Sequence, residues 1–322
     1  MNVGILDLGK VLDGCSAGER IRRTVELAQL AETHGFLRYW IAEHHVPATS
    51  LAAPEIALAV LASETQRIKL GPGGVLLRYY SPLKIAETYL TLEAAFPGRI
   101  ELGVCRGPGV TSDRIELALV GGHLDELSQE TFEAKLDELF FLLDAMTPRP
   151  DWLGPRPIGV TPPPIWVLGS GERSASQAMR HAAPYGFMCF LPGSNRVGPS
   201  IVRRYRSEID DPPVDGPLIA VSVTCFESEA HAKLAEEERM RRGMRSNIVG
   251  DPIQCARAIR AFADTYNVND VLVTCPSSHA EDHVNTIRLL GEAFADATQP
   301  SLCADAASLP CGNRSPVSVK RS

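Results

Sequence analysis

The feature that most restricts what this chain can become is an alternation sustained over most of its length. Short runs rich in β-branched and aromatic residues are each followed by a longer stretch with helical spacing of apolar residues. That order is the signature of βα units and a parallel sheet. VGILDL (3–8) reads as a first strand. ERIRRTVELAQLAETHG (19–35) follows as a helix, with Ile21, Val25 and Ala28 on one face and Gly35 as its stop. RYWIA, RIKLGPGGVLL, RIELGVC, PIWVLGS, YGFMCFL, PLIAVSVTCF and DVLVTCP supply seven further strands. The helix SPLKIAETYLTLEAAFPG carries its own limits: Ser81 at the N-cap, Pro82 at N1 and Pro97-Gly98 as the break. LDELSQETFEAKLDELFFLLDAM is a long amphipathic helix, and others fall near 173–182, 197–209, 229–243 and 253–266, before a last one in AEDHVNTIRLLGEAFA. Eight strands alternating with helices predict an α/β fold, a (β/α)8 TIM barrel over residues 1–297, in preference to an open doubly wound sheet. The Pro-rich connector between residues 147 and 164 is expected to be an ordered loop. The small, polar tail 298–322 is expected to be disordered.

Composition narrows the partners. The net charge of -7 and a pI near 5.7 leave no basic surplus for nucleic acid or an anionic membrane. Asp7 and Lys10 interrupt what would be a signal sequence's apolar region, so a cytoplasmic protein is expected. Eight scattered cysteines, with no CxxC pair, read as reduced thiols rather than a zinc site or a disulfide framework.

In a parallel barrel the chemistry gathers where strands end at their C-terminal side. Glu43, His44 and His45 occupy such a place after RYWIA. Adjacent strand residues point to opposite sides, so the two histidines are not expected to share a metal. Either one is a candidate acid or base, and parity does not choose between them. Gly73 and Gly74 interrupt the third strand, as a bulge, a close backbone approach or a strained peptide would require. Cys105 and Arg106 end the fourth strand before a Gly-Pro-Gly turn; the arginine's fork suits an anion or, equally, a surface salt bridge, and the cysteine suits a small buried position. VLGSGERSASQAM has the strand, Gly/Ser turn and helix start of a phosphate cradle, in which Ser170, Gly171 and Ser174 would receive the anion, or Ser174 would only cap the helix.

Taken together, RYWIAEHH, RIKLGPGGVLL, YYSPLKIAETYLTLEAAFPGRIELGVCRGPG, PIWVLGSGERSAS and VLVTCPSSHAEDHVNTIRLLGEAF resemble the bacterial luciferase-like flavin-dependent monooxygenases, in particular the short tailoring enzymes of natural-product pathways. The resemblance implies an FMN site. It places His44 at the reactive flavin edge with Glu43 and His45 supporting it, and a non-proline cis peptide at Gly73-Gly74 behind the ring. Arg106, Ser170, Gly171 and Ser174 fall at the phosphate, and Cys105 matches a cysteine of the luciferase α-type chain. It further implies a two-component monooxygenase that takes reduced FMN from a separate NAD(P)H-dependent reductase and adds dioxygen at flavin C4a as a (hydro)peroxide to oxygenate a small organic substrate. A homodimer formed through barrel helices such as the one containing IALAVLASE is also implied. At the cradle, Ser170 and Gly171 replace a carboxylate and a serine, so Gly171 would act through its backbone N–H. The chain lacks the long insertion that closes the luciferase pocket, which argues against aldehyde chemistry and light emission. An F420-dependent oxidoreductase of the same barrel superfamily and a non-catalytic flavin-binding relative are the alternatives.

Overall fold

The computed structural model describes residues 1–107, 109–123, 127–144, 154–209, 213, 215–241 and 243–296. The tail 298–322 and the first part of the Pro-rich connector lie outside the described residues. The chain order is β1 (Asn2–Asp7), α1 (Ala17–Thr33), β2 (Arg38–Ile41), α2 (Pro54–Glu64), β3 (Lys69–Pro72), β4 (Val75–Leu76), a 3₁₀ turn (Leu77–Tyr79), α3 (Pro82–Ala95) and β5 (Leu102–Cys105). After these come α4 (Asp113–Leu119), α5 (Gln129–Leu143), β6 (Ile165–Gly169), α6 (Glu172–Arg180), β7 (Tyr185–Met188), α7 (Ser194–Glu208) and β8 (Leu218–Cys225). The last elements are α8 (Glu229–Arg241), β9 (Ile248–Gly250), α9 (Pro252–Tyr266), β10 (Asp270–Thr274) and α10 (Ala280–Asp296).

The strands hydrogen-bond in the order β3-β2-β1-β10-β8-β7-β6-β5-β4, and all of these pairings are parallel. β3 and β4 are two halves of one run interrupted at Gly73-Gly74: β3 pairs with β2, and β4 with β5. Counted as one stave, they close the ring, and the result is the (β/α)8 barrel that the alternation predicts. β9 pairs with the outer end of β8 as an addition to it.

Local chemistry sets the helix ends where the sequence puts them. Ser81 accepts from the Lys84 N–H with Pro82 behind it, and α1 ends at Thr33, with the chain reversing at Gly35, whose φ of 77° suits the turn. Two elements lie outside the sequence expectation. Helix α4 has no buried residue and therefore no apolar stripe to read, and β9 is only three residues long.

Parallel strands covered on both faces are apolar on both, and here the two faces divide cleanly. Ile5, Tyr39, Val104, Val167, Phe187, Ile219 and Val273 pack outward beneath the helices, whereas Leu6, Trp40, Trp166, Leu168, Met188, Leu218 and Leu272 fill the barrel. At the N-terminal ends of the strands the lumen is closed by charge. Arg38 pairs with Glu101 (3.2 Å) and Asp270 (2.7 Å), lies 5.1 Å from the Trp166 ring centroid, and shares Glu101 with the Trp40 indole N–H (2.6 Å). Buried charges persist only when paired in this way.

At the opposite, C-terminal end a second buried network fixes the loop after β1. The Asp7 carboxylate accepts two bonds from Arg20 (2.6 and 2.8 Å), one from the Tyr39 hydroxyl (2.8 Å) and one from the Gly9 N–H (2.8 Å). Arg20 then donates from Nε to the Lys10 carbonyl (2.8 Å), and Lys10 bridges the backbone of Thr49 in the β2–α2 loop. The Arg20 charge holds the Asp7 carboxyl below the usual carboxylate range against the opposing cost of burial, which is the larger influence on that group.

Candidate functional site

Glu43, the second residue past β2, is 3% exposed and works as a fastener. One oxygen accepts the Leu76 N–H at the end of β4 (2.9 Å); the other receives the Tyr80 hydroxyl and lies 2.8 Å from His45 Nε2. His45 also donates its backbone N–H to Gly109 (2.7 Å), which ties the loop after β2 to the loop after β5. The two adjacent histidines therefore diverge. His45 is committed to Glu43, and its ring is not part of the cavity wall, whereas His44 lines the cavity.

That cavity, about 340 Å³, opens at the C-terminal end of the barrel and falls within the size range of small-molecule sites, roughly 300–1,000 Å³. Leu8, Leu168, Met188 and Phe190 give it an apolar floor and wall. His44 Nδ1 is buried without a hydrogen-bond partner. Burial pushes the imidazole pKa down, more strongly than the Leu8 carbonyl and Glu43 pull it up, so the ring is neutral near pH 7. Gly73 and Gly74 line the same wall and are joined by a cis peptide bond, as the resemblance implies. A Cβ at Gly74 would stand 2.8 Å from the Gly103 carbonyl oxygen, so only glycine lets β4 run this close to β5. Cys105 sits beside them with its thiol toward the Gly74 carbonyl (3.7 Å); burial pushes its pKa up to about 12, and it is a neutral wall residue rather than a nucleophile.

The far end of the cavity is polar. Ser170, Gly171 and Ser174 border it where β6 meets α6. No side chain caps α6: its N-cap is Gly171, and Ser174 Oγ donates backward to the Gly171 carbonyl (2.8 Å) instead of capping. The leading N–H groups of the helix are thus left for a ligand, and the positive end of the helix favours an anion. Glu172, the one acidic residue of that turn, is turned away into an ion pair with Arg204 (3.0 Å). Arg106 approaches from the loop after β5, and Arg173 from the first turn of α6. Both line the cavity, and neither has an ion-pair partner among the described residues.

All ten sequence candidates therefore come together at one end of the barrel: nine border the cavity, and His45 sits one contact behind it. Sequence reasoning passed over Arg173, although it lies inside the quoted GERSAS turn next to Ser174. It also missed Tyr80, whose hydroxyl reaches Glu43 from a helix start 37 residues further along the chain. Gln177, 9% exposed with its amide oxygen unpartnered, adds a further polar group one turn beyond Ser174. The six described cysteines are free. Among the described residues no helix is long and apolar enough to cross a membrane.

A flavin mononucleotide fits these residues: an anion-receptive helix start at one end, with two guanidinium groups that have no ion-pair partner among the described residues, and an apolar lumen bordered by His44 at the other. The sequence profile of the luciferase-like monooxygenases matches residues 1–245. The chain is 30% identical to N-acetyl-S-alkylcysteine monooxygenase of Bacillus subtilis (strain 168), over 91% of this chain and 98% of that protein. Among solved structures it is similar to apo-MsnO8, with a TM-score of 0.80 and 29% identity over 91% of this chain and 98% of the other. The oxygenating constituent of 3,6-diketocamphane monooxygenase from Pseudomonas putida, solved in complex with FMN, shares the fold at a TM-score of 0.70 and 16% identity, over 90% and 96% of the two chains.

Proposed function

The chain belongs to the luciferase-like monooxygenase family, and from that premise we propose that it is the oxygenase of a two-component system, using reduced FMN made by a separate NAD(P)H-dependent reductase and dioxygen to oxygenate a small organic molecule. The observation that carries this reading is the continuity of one cavity from His44 to the uncapped start of α6 between Arg106 and Arg173. Bound reduced flavin supplies the two electrons with which dioxygen is activated. The chain supplies the rest. Arg106, Arg173 and the α6 N–H groups hold the phosphate, with the Ser174 hydroxyl turning from Gly171 to join them. Gly73, Gly74 and Cys105 form the flat wall for the ring. Leu168, Met188 and Phe190 keep water from the reacting end, where uncoupled loss of oxygen as peroxide would otherwise compete. His44 holds or releases a proton at its ring nitrogen, and Glu43, through Tyr80, His45 and the Leu76 N–H, keeps that rim in place.

The phosphate end gives the direct test. Arg106→Ala and Arg173→Ala should each weaken FMN binding by about tenfold or more while leaving riboflavin binding unchanged, since a charge-assisted bond to an anion contributes about 1.5–3 kcal/mol. Fluorescence titration reads both ligands, and equal affinity of the wild-type protein for FMN and riboflavin would sink the assignment. Titration with F420 belongs in the same series: tight F420 binding without oxygen consumption would replace this reading by a deazaflavin-dependent one. The protein is further proposed to work as a homodimer, with Ile56 and Val60 of α2 and Leu83 of α3 exposed on one side of the barrel. Sedimentation as a monomer at micromolar concentration would count against that assembly.

A further inference from the structure

Around the ring the staves follow in the order β2, β3 with β4, β5, β6, β7, β8, β10 and β1. Everything assigned to the cofactor comes from the first four: His44 after β2, Gly73-Gly74 between β3 and β4, Cys105 and Arg106 at β5, and the turn from Ser170 to Ser174 after β6. The staves that flank these four, β7 and β1, complete the cavity wall. From β1 it receives Leu8, and from β7 Met188, Phe190 and Leu191.

The backbone beneath these side chains is fixed. Leu8 lies between Asp7, which is held by Arg20 and Tyr39, and Gly9, whose carbonyl accepts the Ser50 N–H (2.7 Å). In the turn after β7 the Ser194 hydroxyl lies 2.8 Å from the Cys189 carbonyl and 2.7 Å from that of Leu191, and the Asn247 amide donates to the Cys189 carbonyl (3.3 Å). Phe190 and Leu191 therefore stand on a turn secured before and after them, and such a surface is formed in advance of its ligand. It is also open. Leu8 and Phe190 are half-buried, and Leu191 is 40% exposed. One exposed leucine is ordinary, but apolar side chains gathered at the rim of one cavity receive the apolar surface of a ligand.

The placement of charge points the same way. The charged residues that border the cavity are Glu43, Arg106 and Arg173. Glu43 is committed to the Leu76 N–H, Tyr80 and His45, and both arginines stand at the phosphate cradle between β5 and β6. The cavity residues contributed by β7 and β1 include no partner for a carboxylate or an ammonium. An ion brought there loses hydration that nothing in this part of the wall replaces.

We infer that the molecule oxygenated is an uncharged, apolar organic compound, received between Phe190 and Leu191 on one side and Leu8 on the other, and that these three side chains set the preference. The inference rests on the monooxygenase reading for what happens to that compound, and on the wall contributed by β7 and β1 for the preference itself.

The probes are thioanisole and 4-(methylthio)benzoate, which differ by one carboxylate. Each is titrated calorimetrically into the full-length protein with the cradle filled by FMN and, separately, by inorganic phosphate, so that the acid is not drawn to Arg106 and Arg173. The wild type should bind thioanisole about tenfold tighter than the acid, or more. Leu191→Lys, at a position exposed enough to carry the change, should bring the two affinities within about twofold, and Leu191→Met should keep them apart. Phe190→Ala should weaken thioanisole about fivefold or more through lost apolar contact. Equal binding of the two probes by the wild type, no measurable binding of thioanisole, a preference unchanged in Leu191→Lys, or wild-type affinity for thioanisole in Phe190→Ala would each overturn the inference. The phosphate arm reads the preference without flavin, so its failure is separable from failure of the flavin reading, which shows instead as wild-type protein that does not bind FMN.

Discussion

Replacing His44 with alanine should leave FMN affinity close to that of the wild type while reducing coupled oxygenation about a hundredfold or more, with the oxygen consumed released as hydrogen peroxide. His44 borders the cavity and its Nδ1 has no hydrogen-bond partner, so its removal breaks no hydrogen bond at that atom, and what the protein loses is the ring's place in the cavity wall and its interaction with the Leu8 carbonyl. The pH profile separates this from a general loss of fit. Burial lowers the His44 pKa from 6.5, so the ring stays neutral through pH 7 and gains its proton only in more acid solution. The wild-type rate should fall as pH drops below 6.5 towards that lowered value, and the alanine variant should lose that limb. Stability should follow the same sign. His44, His181 and His283 all have pKa values lowered in the folded state, so the unfolded chain takes up protons first, and folding free energy is lost as pH falls from 6.5. Unchanged product yield in His44→Ala, measured by mass spectrometry against oxygen consumed, would remove His44 from the chemistry.

The second large effect belongs to Glu43. Its carboxylate gathers the Leu76 N–H, the Tyr80 hydroxyl and His45 at a point nearly closed to water. Glu43→Ala strands those donors, and the expected cost is about 3 kcal/mol of folding stability, with loss of activity as the rim loosens. Glu43→Gln should cost less, because its amide oxygen still accepts the Leu76 N–H. Denaturant midpoints with unchanged slope read the difference directly. A Glu43→Ala protein within about 0.5 kcal/mol of wild type would show that the carboxylate is not the fastener described.

The barrel was legible because its information is local and repeated: each strand is apolar on both faces, and each helix carries its own start, as Ser81-Pro82 does, or its own stop, as Gly35 does. What escaped lacked such a signal. Helix α4 has no fully buried residue and so no clear apolar stripe, and β9 is too short for a period to show. The site divides in the same way. His44, Gly73-Gly74, Arg106 and the turn at Ser170–Ser174 fall at strand ends, where the barrel rule directs attention. Nothing in RYWIAEHHVP says that His45 turns to Glu43 and His44 to the cavity, because that divergence depends on Tyr80 and Leu76, which only folding brings near. Arg173 was readable beside Ser174; what could not be read was that Glu172 would be drawn off by Arg204, which leaves the arginine as the charge facing the cradle.

The charged closure at the foot of the barrel has a kinetic meaning. With Arg38, Glu101, Asp270 and the two tryptophans corking the lower end, the lumen is a blind alley, and every ligand larger than water must come and go by the upper mouth. A flat cofactor bound against Gly73-Gly74, as proposed, and the molecule it oxygenates would therefore share one doorway, and ordered binding and release is the expected kinetic pattern.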